Sequence, residues 1–433
     1  MTPQSNFTLL APLQPGRVDA VRTLLASMNR RPGVADPANG ILPFGRFERL
    51  HFARFIVLDD PTLGDIAEYG KAPPVLPVSL VFLVDCDGPA DDFLADLVAR
   101  AGPGLERVFA HCQGFTPGGD LLRWMKAHGR PAATAYVNWV GRTVRQIREE
   151  AVLRLALEAY LDEHAGTLAD KPPRQVGDTL RAFVAAECRA GRLTLTEPAP
   201  TPLGWTLRKW AHLVGVPLAL LGLLPLLLLY LPIFALQLRR REHSDPEVVP
   251  RPERAHLRHL ADLEDHDVSN QFSAIGSMKP GRFRRWTLIF VLWIVNYTAR
   301  HVYDRGQLAR VSTIHFARWV FIDDKRRLLF ASNYDGSLDS YMDDFINKVA
   351  FGLNVVFSNG VGYPRTSWLI SGGAKDEQKF KYFIRRHELP SEVWYNAHPG
   401  LTTLDLQRNT RIRDGLRRSA MTDDEAREWL ALL

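Results

Sequence analysis

Cysteine is scarce: Cys86, Cys112 and Cys188 are the only three in 433 residues, and no pair has CxxC spacing. An odd number without a paired motif excludes a disulfide framework and a cysteine-based zinc site, and it fits a reducing compartment. Acidic residues run slightly short, 48 against 54 lysines and arginines, which leaves +6. That surplus sits in a few clusters and forms no continuous basic stripe with a recognisable module, so nucleic acid is not an expected partner. No phosphate-binding glycine loop, GxGxxG or GxSxG string occurs, which argues against nucleotide binding and serine-hydrolase chemistry. The first residues lack a basic stretch followed by an apolar core, and no cleavable signal is expected. What is present is a globular balance, 46% hydrophobic and 24% charged, with length enough for two or three domains.

Charge is also missing locally. Leu213–Leu236 is 24 residues without one charged side chain, between Arg208-Lys209 and Arg239-Arg240-Arg241. A bilayer core takes about 20 apolar residues, so the segment qualifies by length, and Trp205 and Trp210 suit an interface. It also contains Pro217, Pro225 and Pro232, and proline inside a helix removes a hydrogen bond and kinks it.

The chain repeats itself. Phe7 and Pro15-Gly16-Arg17 recur as Phe272 and Pro280-Gly281-Arg282, and Leu50–Phe55 matches Ile314–Trp319. Residues 82–115 align without gaps to 330–363 with ten identities, among them Asp87/Asp335, Gly88/Gly336 and Gly104/Gly352; His128 and Pro131 then match His387 and Pro390. Phe7–Leu13, His51–Leu58 and Val78–Val84 read as strands, Val18–Met28 and the segment after Asp87-Gly88 as helices, and Leu105–Ala110 as a last strand. That is a βαββαβ, ferredoxin-like order. The predicted fold class is therefore α+β. Two tandem ferredoxin-like repeats form a pseudo-dimeric α+β barrel within one chain, with helical extensions and a membrane-inserting helical segment between them. The boundaries place repeat one at 1–115 and a helical extension at 116–204. The hydrophobic segment with its basic flanks is 205–241, and a charged linker is 242–269. Repeat two is 270–364, and a C-terminal helical extension is 365–433.

This arrangement resembles the dimeric α+β barrel superfamily, within which dye-decolourising peroxidases carry two ferredoxin-like halves on one chain. The resemblance covers residues 6–115 and 271–364 and is one of topology. The peroxidase GxxDG motif corresponds to Asp85-Cys86-Asp87-Gly88 and Asn333-Tyr334-Asp335-Gly336, each lacking the first glycine. The resemblance implies haem and peroxidase-like oxidation. His315 or His51 would then be an axial ligand or a general base and Arg318 or Arg54 an anion partner, while Asp335 would serve as an acid–base group if buried beside an arginine. Period-two alternation puts His51, Ala53 and Phe55 on one face and Phe52, Arg54 and Ile56 on the other, so a histidine and its neighbouring arginine would not share a ligand. The residues also have structural readings: Asp-Gly is a turn, Ser337 a helix N-cap, and the histidines core residues. The linker pair His256/His259 shares a helical face, but in charged surroundings without cysteine, and no metal site is expected.

Two halves that share one barrel cannot lie on opposite sides of a bilayer. The 24-residue segment is therefore expected as a kinked, shallow or re-entrant hairpin, with membrane contacts at Leu213, Pro225, Leu236 and Arg239–Arg241 and both repeats cytoplasmic. A second apolar helix, Thr287–Val295 behind Arg282, Arg284 and Arg285, would add Trp286 and Trp293 to that surface or be wrapped by the first repeat. The sequence thus supports a membrane-associated protein that binds haem or an apolar, lipid-derived ligand, as a peroxidase-like oxidoreductase if it is an enzyme. The alternative is a non-catalytic scaffold or lipid-binding module; membrane lipid is the expected partner in both.

Overall fold

The structure is a computed structural model describing residues 1–418 and 420–433, and it is a mixed α+β fold. Its first half contains strand β1 (Gln4–Pro12), helix α1 (Val18–Ala26), strands β2 (Leu50–Leu58) and β3 (Ser79–Asp87), helix α2 (Ala90–Phe109) and strand β4 (Thr134–Val137). Helix α3 (Val144–Glu163) and the 42-residue helix α4 (Leu203–Ser244) follow. The second half contains β5 (Ser269–Ser277), α5 (Arg282–His301), β6 (Ile314–Ile322), β7 (Arg327–Asp335), α6 (Leu338–Phe357), α7 (Glu377–His387), β8 (Ser391–Asn396) and α8 (Thr403–Leu416). Strands β3 and β7, rich in aliphatic and aromatic residues, are buried along their whole length. Each is cut off by a local signal. Gly88 and Gly336 take φ of +76° and +84°, which closes the Asp-Gly turn ahead of α2 and α6 without the steric penalty of a side chain.

The sheets exchange strands between the halves. One sheet runs β1-β3-β2-β8 and continues into a short hairpin, Asn29–Ala35; the other runs β4-β6-β7-β5. Thus β8 from the second half pairs antiparallel with β2 of the first, and β4 of the first pairs antiparallel with β6 of the second. Backbone bonds also join the sheets at both edges. Arg130 N donates to Thr8 O at 2.7 Å just before β4, and Leu389 N donates to Ser273 O at 2.8 Å just before β8. Between the facing sheets lies an aliphatic layer of Leu10, Ile56, Val81, Ile275, Val320 and Leu329. The outer faces are covered by α1 and α2 in the first half and by α5, α6 and α7 in the second.

Leu105–Ala110 is not a strand. It ends α2, which kinks at Ala101 and restarts at Pro103. Leu105, Val108 and Phe109 recur at i, i+3 and i+4 and are all buried, and that spacing presents one helical face to the sheet.

The apolar segment forms no hairpin either. It belongs to α4, a continuous helix about 63 Å long at 1.5 Å per residue. Pro217, Pro225 and Pro232 each remove one backbone bond, and the leucines between them keep the rest. This helix is long and apolar enough to cross a membrane, and its most apolar window is 0% buried. Leu221–Leu226 and Leu228–Ile233 are two runs of six consecutive exposed residues, each longer than a helical turn, so no side of the helix is packed there. Its ends, by contrast, are fastened to the folded body. At the N-terminal end Lys209 pairs with Asp304 at 3.0 Å, His212 meets His301 at 2.7 Å, and Leu213 O accepts from Tyr297 Oη. At the C-terminal end Phe234 packs on Phe283, and the buried Glu242 carboxylate accepts from Thr366 Oγ1 and from the amides of Trp368 and Leu369. Helix α5 runs antiparallel beside α4, because Phe283 lies near its start and Tyr297 near its end.

Removing the Glu242 carboxylate leaves two backbone N–H groups without an acceptor, at about 1–3 kcal/mol each. Glu242→Ala is therefore expected to lower the melting temperature and speed tryptic cleavage after Arg365. Leu236→Ala, at an exposed position, should change neither.

Candidate functional site

The polar residues singled out in the sequence lie buried where the two halves meet. Arg54 Nη1 donates to Phe272 O at 2.9 Å and Ser273 Oγ at 2.8 Å; its Nη2 donates to Ser332 O at 2.8 Å and to Asn333 Oδ1. Arg318 does the converse, donating to Phe7 O at 2.9 Å, to Thr8 Oγ1, to Val84 O at 3.0 Å and to Asp85. Every acceptor of one arginine is the repeat counterpart of an acceptor of the other. The symmetry breaks at one position, where Asp85 faces Asn333. Burial pushes the Asp85 carboxyl up against the pull of Arg318 and Arg54, and burial brings the Arg54 guanidinium down to about 9, with Asp85 opposing.

The histidines end this layer. The β2/β3 pairing slips between Leu50 and Phe52, and the β6/β7 pairing between Ile314 and Phe316. Such a bulge re-aims a side chain. It brings His51 within 5.1 Å of the Phe316 ring in the opposite sheet, so His51 and Arg54 both reach across the interface instead of pointing apart. His51 Nε2 lies 2.9 Å from Asp87 Oδ1, whose Oδ2 accepts from the Val144 amide at the start of α3. His315 Nε2 lies 2.6 Å from Asp335 Oδ1, whose Oδ2 accepts from the Thr403 amide and hydroxyl at the start of α8. Burial alone would raise Asp335, but His315 and Thr403 outweigh it and hold this carboxyl below its usual range. Each histidine thus orients a carboxylate that accepts from the first amide of a helix distant in sequence, α3 or α8.

A third imidazole, His398, carries no motif or repeat match in the sequence and joins the other two in the structure. Its ring lies 5.5 Å from that of His315, 6.0 Å from His51 and 5.1 Å from Phe52, and neither of its nitrogens has a partner. Burial and the two neighbouring histidines hold it well below the ordinary histidine range. The first-half counterpart of His398 is Trp139, so internal comparison could not have flagged it. The repeat does continue at the His128/His387 offset through Tyr136/Tyr395, Gly141/Gly400 and Thr143/Thr402. Those matches mark the fourth strands and the caps after them.

A large open space lies elsewhere. On the outer face of the second sheet, beneath α5, α6 and α7, is a cavity of about 400 Å3 lined by Phe272, Leu288, Trp319, Phe345, Leu353 and others. Among the described residues its lining holds no arginine, lysine or carboxylate, and His51, Arg54, His315, Arg318 and Asp335 are not part of it. Among its few polar groups is His387, whose Nδ1 lies 2.8 Å from Phe383 O and whose Nε2 has no partner. In the first half the matching space is filled. The loop before β2 inserts Ile41, Phe44 and Phe47, and a Cβ on Gly104 would meet Ile41 O at 1.7 Å. At the repeat counterpart, Gly352, a Cβ would meet nothing within 4 Å.

The membrane residues read from the sequence lie along α4 and α5. Leu236 is 73% exposed and Trp286 64%; Pro225, Arg240 and Arg241 are exposed as well. Leu213 and Trp293 are half-buried, and Arg239 pairs with Glu242 and lies over the Trp368 ring. His256 Nε2 contacts Arg385 O, and no cluster of three or more metal-ligating side chains occurs among the described residues. The chain matches no protein-family model, no curated protein and no solved structure.

Two outcomes follow. Arg318→Ala strands the buried Asp85 and should cost roughly 3–5 kcal/mol. Arg54→Ala leaves only neutral hydrogen-bond acceptors without a donor, though it also removes the weaker of the two cations acting on Asp85, and should lower the melting temperature by less; equal losses would contradict the asymmetry. As for pH, His398 stays neutral in the fold while the unfolded chain takes up a proton below its ordinary value of 6.5. Its contribution is complete above that value and is lost as pH falls from it towards the folded one. Thermal stability should therefore drop between pH 7 and 5, with a shallower slope in His398→Phe.

Proposed function

We propose that this chain is a membrane-surface protein that takes a lipid-derived apolar chain into the cavity beneath α5, α6 and α7. In this reading its strands form two ferredoxin-like halves closed into one barrel, held on the cytoplasmic face. The exchanged strands and the bridged sheet edges support the barrel. The cavity carries the ligand assignment: it is apolar on nearly every side and is roofed by α5, the helix beside the unpacked α4. Because both ends of α4 are fastened to one body, the helix suits an orientation along the membrane plane, with its leucines in the acyl region. Basic residues at both its ends fit the cytoplasmic side.

Haem in the same cavity is a second reading, favoured by one observation. His387 is anchored through Nδ1 and presents an unpartnered Nε2, which is how a haem-ligating imidazole is held. The ligands suggested by the sequence, His315 and His51, both have Nε2 committed to carboxylates and lie outside the cavity. Peroxidase-like oxidation gains no support, since no carboxylate or guanidinium lines the walls.

Purification of the full chain in mild detergent tests both readings. Mass spectrometry of the extract should find co-purified lipid, and Gly352→Trp, which fills the open space, should cut uptake of a fluorescent fatty-acyl probe by about tenfold or more. Unchanged uptake in a folded variant would remove the cavity from the reading. A Soret band lost in His387→Ala would favour haem instead.

A further inference from the structure

Beside the cavity lies a second, charged pocket that the apolar reading leaves unused. Lys279 and Arg284 are 7% and 1% exposed, and both point at one carboxylate: Asp245 Oδ2 lies 3.6 Å from Lys279 Nζ and 2.6 Å from Arg284 Nη2. Arg284 Nε and Nη1 have no partner. Two further carboxylates line the pocket but are engaged elsewhere. Glu242 binds Arg239 and the Thr366–Leu369 segment, and Glu247 binds Lys379 at 3.0 Å. Asp245 thus serves two buried cations, Glu242 adds its charge near Lys279, and Arg284 keeps two donor nitrogens unsatisfied. Burial, together with the charge of Arg284, brings Lys279 down to about 8 against the pull of Asp245. Arg284 also lies in the first turn of the 20-residue helix α5, whose dipole adds positive potential at that end.

The pocket adjoins the cavity. Met278 lines the cavity and Lys279 the pocket; Leu288, one turn after Arg284 on α5, lines the cavity; Val361 and Tyr363 divide in the same way. The free space is about 10 Å3, room for a single oxygen-sized group. Arg241, with Nη2 placed 3.7 Å from a Cβ on Gly281, and the exposed Arg282 border this end of the helix pair and would attract an anionic membrane surface.

We propose that Lys279 and Arg284 hold one oxygen of an anionic head group, phosphate or carboxylate, on a single-chain lipid whose tail occupies the cavity. This rests on the cavity being a lipid site. The ligand is thereby an anionic amphiphile, and the charged pocket selects it over neutral lipids of the same chain length.

The test titrates full-length, delipidated protein in detergent with a lysophosphatidic acid, a monoacylglycerol of the same chain, and inorganic phosphate alone. The anionic lipid should bind about tenfold tighter than the neutral one, the size of one added charge-assisted contact. Arg284→Gln and Lys279→Met should each abolish most of that preference while leaving monoacylglycerol binding unchanged, which also shows that the variant is folded. Equal binding of the two lipids by the unmodified protein would overturn the head-group assignment and leave the cavity reading standing. So would a preference that survives in both variants, or inorganic phosphate competing as well as the anionic lipid, which would mark a free-anion site. Failure of both lipids to bind would overturn the cavity reading and this proposal together.

Discussion

Two buried guanidinium groups set the terms for the molecule. Arg54 and Arg318 each leave their own sheet and donate to backbone carbonyls of the other, so neither half can satisfy its core arginine alone. A buried, unpaired guanidinium is among the costliest groups a core can hold, and the halves are thereby bound to fold as one body. Everything between them inherits that condition, above all the apolar helix in the connection. Its two ends start from the same body, and its exposed middle has to find an apolar environment without separating them.

Duplication also shows how one scaffold yields two different interiors. Gly104 and Gly352 stand at the same place on equivalent helices. In the first half the Ile41 backbone occupies the space above the glycine and aromatic rings seal the remainder; in the second the space stays open beneath a longer helix whose middle, Leu288–Val295, is apolar. One half is then filled at this place and the other keeps an apolar cavity. The asymmetry extends to the core, where Asn333 replaces Asp85 and removes one of two negative charges that symmetry would have placed side by side.

Much of the fold was legible because strand and turn signals are local. The matches across residues 82–115 and 330–363, the Asp-Gly turns and the aliphatic strands all survive in the structure. Leu105–Ala110 misled because a short apolar run satisfies both periods, and the buried i, i+3, i+4 face decided for helix. The proline spacing in α4 suggests a hairpin, but the run of leucines between the prolines keeps one continuous helix. The candidate site was less legible. Alternation separated His51 from Arg54, yet a one-residue bulge that leaves no trace in composition reversed the side chain. The cavity could not be read at all, since an empty space depends on what a distant loop fails to fill. Arg284 reads as one member of a basic cluster with Arg282 and Arg285, and only burial distinguishes it; Lys279 carries no signal in the sequence.

The exchange of fourth strands has a bearing on synthesis. Strand β2 is complete once residue 58 has emerged, but the strand that covers its free edge is 391–396. For most of translation the first sheet therefore carries an open, largely apolar edge, the kind of surface that pairs with other chains. The long helix is made during that interval. A membrane that captures it early would hold the unfinished half at a surface, apart from other nascent chains, until its last strand arrives.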